Sequence, residues 1–400
     1  MAEHSPGPQA RRSILALGAA AALAMALGGC QLVPKPRNEP PPQPEQPEVH
    51  QPPEEARGPQ LPPEETRNRV AVLVPISGAN AGVGQSIANA ANLALLDAGG
   101  ERIRITVYDT AKGGAAAAAN QALAEGNGLF LGPLLADDVR AVAPIARRAD
   151  VPVISFSNDV SVAGNGVYLM GFTPGQSISR VVEHARSQGM ERFGAVVPDN
   201  VYGRRAGDAL IEAVEHGGGH LVGMQSYGGG PGALRTAVSR LHDLGPLDAV
   251  LIGDGGRNAA VAAPLLKTGT AAGMRLLGTE LWTTETGLGR TPALRGAWYA
   301  GVSDNMFNQL RTRYRARYGA NPYRLASLGY DAVLLTVRIA KNWRLGRAFP
   351  ERELRDPGGF AGVDGPFRFT SSGIAERSLE VREVTATGSI VVSPAPRGFD

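Results

Sequence analysis

The chain has 400 residues, 43% of them hydrophobic, with a formal net charge of +3 and one cysteine. This length is enough for a two-lobed α/β protein, and so small and dispersed a charge does not favour a nucleic-acid partner. A single cysteine excludes an intrachain disulfide, so the folded part depends on its hydrophobic core.

The N-terminal segment has the layout of a bacterial export signal. Two arginines precede an apolar stretch at 13–27 that is too short to span a bilayer, and two glycines then precede Cys30. This order resembles the cleavage box of bacterial lipoproteins. The resemblance implies a signal peptide over 1–29, a lipid anchor on Cys30 and, because Gln31 follows, an outer-membrane location with the domain facing the periplasm. The alternatives are an ordinary secretory signal and a short membrane helix.

Residues 30–68 begin with the cysteine and continue as a stretch rich in Pro, Glu and Gln. Such a composition cannot form a hydrophobic core. Proline-rich chain extends by about 3.1 Å per residue, so the stretch could reach about 100 Å from the membrane. We interpret it as a disordered tether that carries the folded domain away from the membrane; a generic spacer is the alternative.

From residue 69 onward, short apolar runs alternate with Ala-rich helical segments, a pattern typical of βαβ units and a largely parallel sheet. The first series comprises predicted strands at 70–74, 104–108, 129–131, 151–154 and 167–170, with helices at 85–97, 115–124 and 137–148. We expect this series to form one lobe over 69–172.

A second series predicts a second lobe over 173–302. Its strands are predicted at 192–197, 221–226, 249–252, 275–277 and 297–302, and its helices at 175–187, 203–215, 233–241 and 258–267. Helices at 305–318 and 326–343 are expected to return to the first lobe, over about 303–345. The remainder, about 346–400, predicts hairpins near the hinge, with strand-like pieces at 358–392, and a C-terminal tail.

Several short motifs run in one order along the chain. They are Pro75-Ile76-Ser77-Gly78 with Ala81 and Gly84, Gly132-Pro133, Ala143-Pro144-Ile145-Ala146 ahead of Val151-Pro152-Val153-Ile154-Ser155, Asp199 with Tyr202-Gly203, and Phe367 to Phe369 with Gly373. Together, over about 69–392, they resemble the type I periplasmic binding proteins of the leucine-binding group. The resemblance implies an α/β fold with two Rossmann-like lobes, parallel sheets and a multi-strand hinge.

Three further phrases resemble a lipoprotein branch of this group, the penicillin-binding-protein activators. They are Asp254-Gly255-Gly256, Leu277-Gly278-Thr279 with Trp282, and Trp298-Tyr299-Ala300. This resemblance implies a non-catalytic regulator whose partner is a peptidoglycan synthase, although the tether stands where the best-known members have a helical-repeat domain. The alternative is a solute-binding protein that delivers branched-chain amino acids or related small ligands to an ABC importer.

Candidate ligand contacts follow predicted strand ends, where open α/β sheets bind their ligands. They are Ser77, Gly78, Ser155, Ser157, Tyr202 and Asp254. The Ser77-Gly78 turn opens a helix whose N–H groups suit a carboxylate, Tyr202 could close over a ligand, and Asp254 suits an ammonium group. Each has a structural alternative: the serines cap helices, Tyr202 packs in a turn and Asp254 is a solvated turn residue. Ala136, where amino-acid receptors of the group carry a hydroxyl, weakens the amino-acid interpretation.

The sequence gives poor support to an enzyme. His216 and His220 lie four apart, but the glycines between them predict a turn with no third metal ligand nearby. The glycines at 126, 128 and 132 lack the lysine of a phosphate loop, and no nucleophile elbow occurs. We therefore expect no catalytic residues, no cofactor and no metal.

Four arginines lie on alternate positions between 311 and 317. Apolar residues three or four apart, from Phe307 to Tyr318, predict a helix with one buried stripe that leaves the arginines in solvent before Gly319 ends it. The alternative is a basic docking surface for a wall polymer or an acidic partner.

Overall fold

The structure, a computed structural model, describes residues 66–230, 232–269 and 273–399. Cys30 and nearly all of the proposed tether lie outside these residues. No helix in this part of the chain is long and apolar enough to cross a membrane. The described residues belong to one compact unit, which contains two lobes.

The first lobe is built on a sheet of five parallel strands in the order β2-β1-β3-β4-β5. The strands are β1 (Asn68–Val74), β2 (Ile103–Asp109), β3 (Phe130–Leu131), β4 (Val153–Ser155) and β5 (Val167–Leu169); the helices between the first four are α1 (Ala81–Asp97), α2 (Ala115–Ala124) and α3 (Ala136–Arg148). Val70 to Val74 are all 0% exposed, as a parallel strand covered on both faces requires. The parallel pairings confirm the predicted βαβ series.

The second lobe begins with α4 (Pro174–Ser187) and continues as another βαβ series. Its strands are β6 (Arg192–Pro198), β7 (His220–Tyr227), β8 (Ala249–Ile252), β9 (Arg275–Gly278) and β10 (Trp298–Gly301); its helices are α5 (Val201–His216), α6 (Ala233–His242) and α7 (Gly256–Leu266). These strands pair in parallel in the order β10-β9-β8-β6-β7. Ile178, Phe193 and Leu251 bring α4, β6 and β8 into one core.

Two helices then return to the first lobe, α8 (Asn305–Tyr318) and α9 (Ala326–Ile339). On α8, Phe307, Leu310 and Tyr314 are buried while the arginines are exposed, which confirms the predicted stripe. The second helix, α9, ends before the predicted residue 343, because the chain turns there and Trp343 packs edge-on against Phe349.

The C-terminal strands serve both lobes. A small antiparallel sheet on the first-lobe core contains β11 (Phe360–Gly362), β12 (Gly365–Phe369) and β13 (Ala375–Arg377). The next two strands are β14 (Glu380–Val384), which pairs antiparallel with β10, and β15 (Ser389–Ser393), which pairs with β14. The sequence analysis predicted hairpins near the hinge; β14 and β15 form such an antiparallel pair, and this pair extends the second sheet and covers the edge of β10.

The described chain passes between the two lobes after β5, after β10 and after β13. These crossings form a multi-strand hinge. The loops at the carboxyl ends of several parallel strands come together beside this hinge, where open α/β sheets bind their ligands.

Candidate ligand-binding cleft

A cavity of about 420 Å³ lies between the two lobes. The first lobe contributes Asn80, Val83, Leu134, Leu135, Phe156 and Asn158, the second lobe contributes Glu280, Leu281, Thr283 and Thr284, and Phe172, Arg324 and Leu325 complete the wall. These residues follow β1, β3, β4, β5 and β9 or precede α9. The volume is within the range of small-molecule sites, and the wall has the usual mixture of many apolar side chains and a few polar groups.

Glu280 is the acidic residue of this wall. It follows β9, and its Oε1 lies 3.0 Å from the hydroxyl oxygen of Tyr202. The same hydroxyl oxygen lies 2.8 Å from Thr279 Oγ1. The other oxygen, Oε2, is buried and has no hydrogen-bond partner among the described residues. Burial raises the pKa of Glu280 to about 7. The hydrogen bond from Tyr202 lowers the pKa and so offsets only part of this rise. A cationic group of a ligand would satisfy this carboxylate.

Arg324, which precedes α9, is the basic residue of the wall, and its side chain is 10% exposed. Its Nη1 forms an ion pair with Asp364 Oδ1 at 2.6 Å and donates to Ser327 Oγ at 3.0 Å. Within the described part of the chain, its Nε and Nη2 are buried without a hydrogen-bond partner. The guanidinium lies 4.1 Å from the ring centroid of Phe307, a contact that fixes its position.

Behind Arg324 lies a buried charge cluster at the hinge, formed by Asp331, Asp364 and Arg377 together with Arg324 itself. Val363 N–H donates to Asp331 Oδ1 at 2.7 Å, and Arg377 Nη2 donates to the carbonyl of Met170 at 2.8 Å. Burial, and then the charge of Asp364, raises the pKa of Asp331; burial lowers the pKa of Arg377. The cluster therefore connects the cavity wall to the small C-terminal sheet.

The predicted contacts Ser77 and Gly78 lie in the exposed turn between β1 and α1. The Ser77 side chain bonds to Asp109, whose Oδ1 also accepts from the backbone N–H groups of Ile76 at 3.1 Å and Ala111 at 3.0 Å. Gly78 has φ 73°, which explains the glycine at this turn. The turn thus binds a carboxylate that the protein itself supplies, and neither residue belongs to the cavity wall.

Ser155 and Ser157 are buried rather than exposed to the cleft. Ser155 Oγ donates to the carbonyl of Pro133 at 3.1 Å and accepts from Ser157 N–H at 3.1 Å, while Ser157 Oγ accepts from Asp159 N–H at 3.1 Å. Their hydroxyls therefore form hydrogen bonds that stabilise the loop after β4. This is a structural role, similar to the helix capping that the sequence analysis gave as the alternative to ligand contact. Phe156, which lies between them, is the residue that lines the cavity.

Tyr202 and Asp254 are placed differently from each other. Tyr202 is largely buried beside Glu280, and burial, with the charge of Glu280, raises its pKa. Asp254 lies in another pocket of the second lobe, of about 510 Å³, and accepts from Tyr227 at 2.5 Å, Asn258 at 2.8 Å and Gly255 N–H at 2.6 Å. Since these donors already bond its carboxylate, the structure favours Glu280 as the acid available to a ligand.

Sequence reasoning missed both charged residues of the cavity wall. Glu280 follows β9 as Asp254 follows β8, so applying the strand-end rule to the next strand would have found it. Arg324 gives no local signal, because only the tertiary fold brings the loop before α9 to the cleft. Contact of the six predicted residues with a ligand stays a prediction.

The three phrases that resemble the activator branch pack together in the second lobe. Trp282 Nε1 donates to the carbonyl of Asp254 at 2.8 Å, and the Trp282 and Tyr299 rings lie 6.1 Å apart. A Cβ at Gly278 would come within 2.2 Å of the Trp282 ring, so only glycine fits there. These motifs therefore have a packing role that is independent of any partner.

The paired histidines occupy a helix end and the following strand. His216 Nδ1 lies 2.7 Å from the carbonyl of Glu212, and His220 begins β7. Among the residues that the structure describes, no three His, Cys, Asp or Glu side chains are grouped as a metal site would need.

Comparisons with known proteins agree with this geometry. A sequence profile of the family described as periplasmic binding protein matches residues 68–389. Among curated proteins, the uncharacterized protein RP748 of Rickettsia prowazekii (strain Madrid E) is 23% identical over 181 residues, which cover 45% of this chain and 48% of that protein. The match thus spans about half the length of this curated relative.

Solved structures share the two-lobed fold. A putative branched-chain amino acid ABC transporter protein from Rhodospirillum rubrum is 21% identical, with a TM-score of 0.70 over 82% of this chain and 100% of that chain. A leucine-binding protein from Thermotoga maritima MSB8 is 20% identical, with a TM-score of 0.60 over 82% and 98%. A solute-binding protein of an ABC transporter from Rhodopseudomonas palustris BisB5, in complex with 3,4-dihydroxybenzoic acid, is 20% identical, with a TM-score of 0.62 over 84% and 98%.

At these identities the structures establish likeness of fold, and the family profile covers nearly all of the described chain. The resemblance to type I periplasmic binding proteins is therefore confirmed, and the chain belongs to the periplasmic binding protein family.

Proposed function

We propose that this protein is a non-catalytic receptor that binds a small organic ligand between its lobes and presents it to an ABC importer. The observation that carries the proposal is the cavity of about 420 Å³, whose wall comes from both lobes and includes the incompletely bonded Glu280. A buried carboxylate oxygen that no described residue bonds costs stability, and a ligand that bonds it recovers that cost. The solute-binding proteins of similar fold support the same class of function.

Hinge motion gives this receptor its mechanism. Oε2 of Glu280 is buried, so a ligand reaches it while the lobes are apart and is enclosed when they close. Contacts to both lobes exist only in the closed state, so the ligand binds that state more tightly and shifts the population toward it. The crossings after β5, β10 and β13 are the segments that would change conformation.

The cavity wall suggests which ligands to test first. Val83, Leu134 and Phe156 offer an apolar surface for a branched aliphatic chain or an aromatic ring. Glu280 is suited to an ammonium group. Among the proteins of similar fold, one is named as a leucine-binding protein, one is named as a putative branched-chain amino acid ABC transporter, and one is in complex with 3,4-dihydroxybenzoic acid. These names support testing both aliphatic and aromatic ligands.

The test is thermal unfolding of residues 66–400 with leucine, isoleucine, valine, benzoate and 4-hydroxybenzoate. A ligand at about 100 times its dissociation constant adds about 2.7 kcal/mol of stability, so at least one compound should raise the midpoint. A midpoint that no compound raises, in a protein that unfolds cooperatively, would contradict the proposal.

The sequence analysis placed a regulator of a peptidoglycan synthase first and a solute receptor second; we reverse that order. The phrases that suggested the activator branch have packing roles around Trp282, and the relatives reported above include proteins named as solute receptors. A regulator that acts by surface contact would have no use for an incompletely bonded acid in the cleft.

Lipid attachment at Cys30 is part of the proposal as well, whereas the outer-membrane location that Gln31 implies belongs with the regulator alternative. The signal-like N-terminus supports the lipid attachment. Labelling cells with radioactive palmitate should mark the full chain and leave Cys30→Ala unmarked. Fractionation then separates the two functions: recovery with the inner membrane, where an importer lies, supports the receptor, and recovery with the outer membrane alone favours the regulator.

A further inference from the structure

We propose that Arg324 binds an anionic group of the ligand at the hinge end of the cavity, and that this contact selects carboxylates over uncharged analogues. The inference rests on the receptor function proposed above and adds a specificity-determining residue to it. It also places the anion away from the Ser77-Gly78 turn, where the sequence analysis expected a ligand carboxylate.

The free hydrogen-bond donors of Arg324 form one edge of the guanidinium. Nη1 forms an ion pair with Asp364 and donates to Ser327 Oγ, whereas Nε and Nη2 have no hydrogen-bond partner in the described residues. Nε and Nη2 lie on the same side of the group, which is the geometry that receives two oxygens of a carboxylate. Asp304 Oδ1 is 3.7 Å from Nε, too far for a hydrogen bond, and the other Asp304 oxygen is held by Arg382 at 2.6 Å.

The position of the guanidinium is fixed before a ligand arrives. Its contact with the Phe307 ring, at 4.1 Å from the centroid, and its pair with Asp364 hold it from two sides. Arg324 lines the main cavity and also an adjoining pocket of about 20 Å³ between Phe172 and Glu280. A donor edge that is already oriented loses little entropy when it binds an anion.

The other anion-binding position of the first lobe is already filled. Asp109 accepts from the N–H groups of Ile76 and Ala111 and from the side chain of Ser77. A ligand carboxylate at that turn would have to displace Asp109 and would lie against its charge. Arg324 is therefore the better position for the anion.

The experiment is isothermal titration of residues 66–400 with matched pairs: leucine and leucinamide, 4-methylvalerate and 4-methylvaleramide, benzoate and benzamide. In each pair the rest of the compound is the same, and the amide lacks the negative charge of the acid. We expect at least one acid to bind and its amide to bind about 10- to 100-fold more weakly, which is the usual size of a hydrogen bond to a charged group. An acid and its amide that bind equally would overturn the assignment.

Arg324→Gln should lower the affinity for the acid by a similar factor and leave the affinity for the amide unchanged. The affinity of Arg324→Lys for the acid should lie between those of the wild type and Arg324→Gln. Arg180→Gln is the matched control, because the Arg180 side chain is similarly buried, at 16% exposed, and lies outside the cavity wall. Full acid affinity in Arg324→Gln would overturn the assignment. If Arg324→Gln does not fold, the difference in wild-type affinity between each acid and its amide still tests the assignment. Binding of no acid and no amide by the wild type would overturn the receptor function itself, and this inference with it.

Discussion

Asp254 and Glu280 follow neighbouring strands of the second sheet, β8 and β9, yet their carboxylates have different surroundings. Asp254 accepts hydrogen bonds from three groups, those of Tyr227, Gly255 and Asn258. One oxygen of Glu280 is bonded, while the second is buried and bonded by no described residue. A strand end therefore shows where an acid lies, and its hydrogen bonds show whether it is available to a ligand.

The largest expected effect concerns stability and Glu280. Burial raises the pKa of Glu280 from 4.5 to about 7, so between these values the folded state keeps a proton that the unfolded state releases. The contribution of this group to stability therefore falls as pH rises, by roughly 2–3 kcal/mol between pH 5 and pH 8. Glu280→Gln removes this loss. Urea unfolding should show that the stability of Glu280→Gln relative to the wild type is greater at pH 8 than at pH 5. An equal difference in stability at the two pH values would contradict the burial of an ionisable acid.

A second prediction follows from the same proton. A ligand whose ammonium group binds Glu280 requires the ionised carboxylate, so its affinity should rise about 50-fold from pH 5 to pH 7 and then level off. A benzoate-type ligand has no ammonium group and should lack this rise. Titration of leucine in two buffers with different heats of ionisation would detect proton release directly. A leucine affinity that is independent of pH would place the ammonium group elsewhere.

Asp254→Asn should lower stability without changing the affinity for a ligand. Its donors, Tyr227, Asn258 and Gly255 N–H, lose part of a charged acceptor, so we expect a stability loss of about 1–2 kcal/mol. Affinity for leucine should be unchanged, because Asp254 lies outside the cavity wall. Urea unfolding and calorimetry of the same preparation give both values. A tenfold loss of affinity with full stability would restore Asp254 as the ammonium-binding acid that the sequence suggested.

The smallest effect is expected at Arg315, on the exposed face of α8. Arg315 is exposed, so Arg315→Glu should change the free energy of unfolding by less than about 0.5 kcal/mol and leave ligand affinity unchanged. If the variant nevertheless weakened association with a wall polymer or an acidic partner, the basic docking surface would replace the solvated face as the interpretation.

The fold was predictable where the signal is local. The alanine run at 115–124 and the apolar spacing at 305–318, closed by Gly319, predicted the exact spans of α2 and α8. The end of α9 was missed because the packing of Trp343 on Phe349 interrupts a continuous apolar pattern. The pairing of β14 with β10 was missed because partners about 80 residues apart leave no mark in the local sequence.

The cleft was predictable only as a set of loops. The strand-end rule led to the loop after β4, where Phe156 rather than the flanking Ser155 and Ser157 lines the cavity. Neighbouring residues of extended chain face opposite ways, and the sequence does not say which face is the cleft. Arg324 and the occupation of the Ser77 turn by Asp109 depend on contacts between distant segments.

The most direct test of the receptor function is a crystal structure of residues 66–400 with the compound that gives the largest rise in unfolding midpoint. The account predicts that the compound lies between the lobes, within hydrogen-bond distance of Glu280 or Arg324 and against Phe156. A compound bound instead in the pocket beside Asp254, with the inter-lobe cavity holding only water, would contradict it.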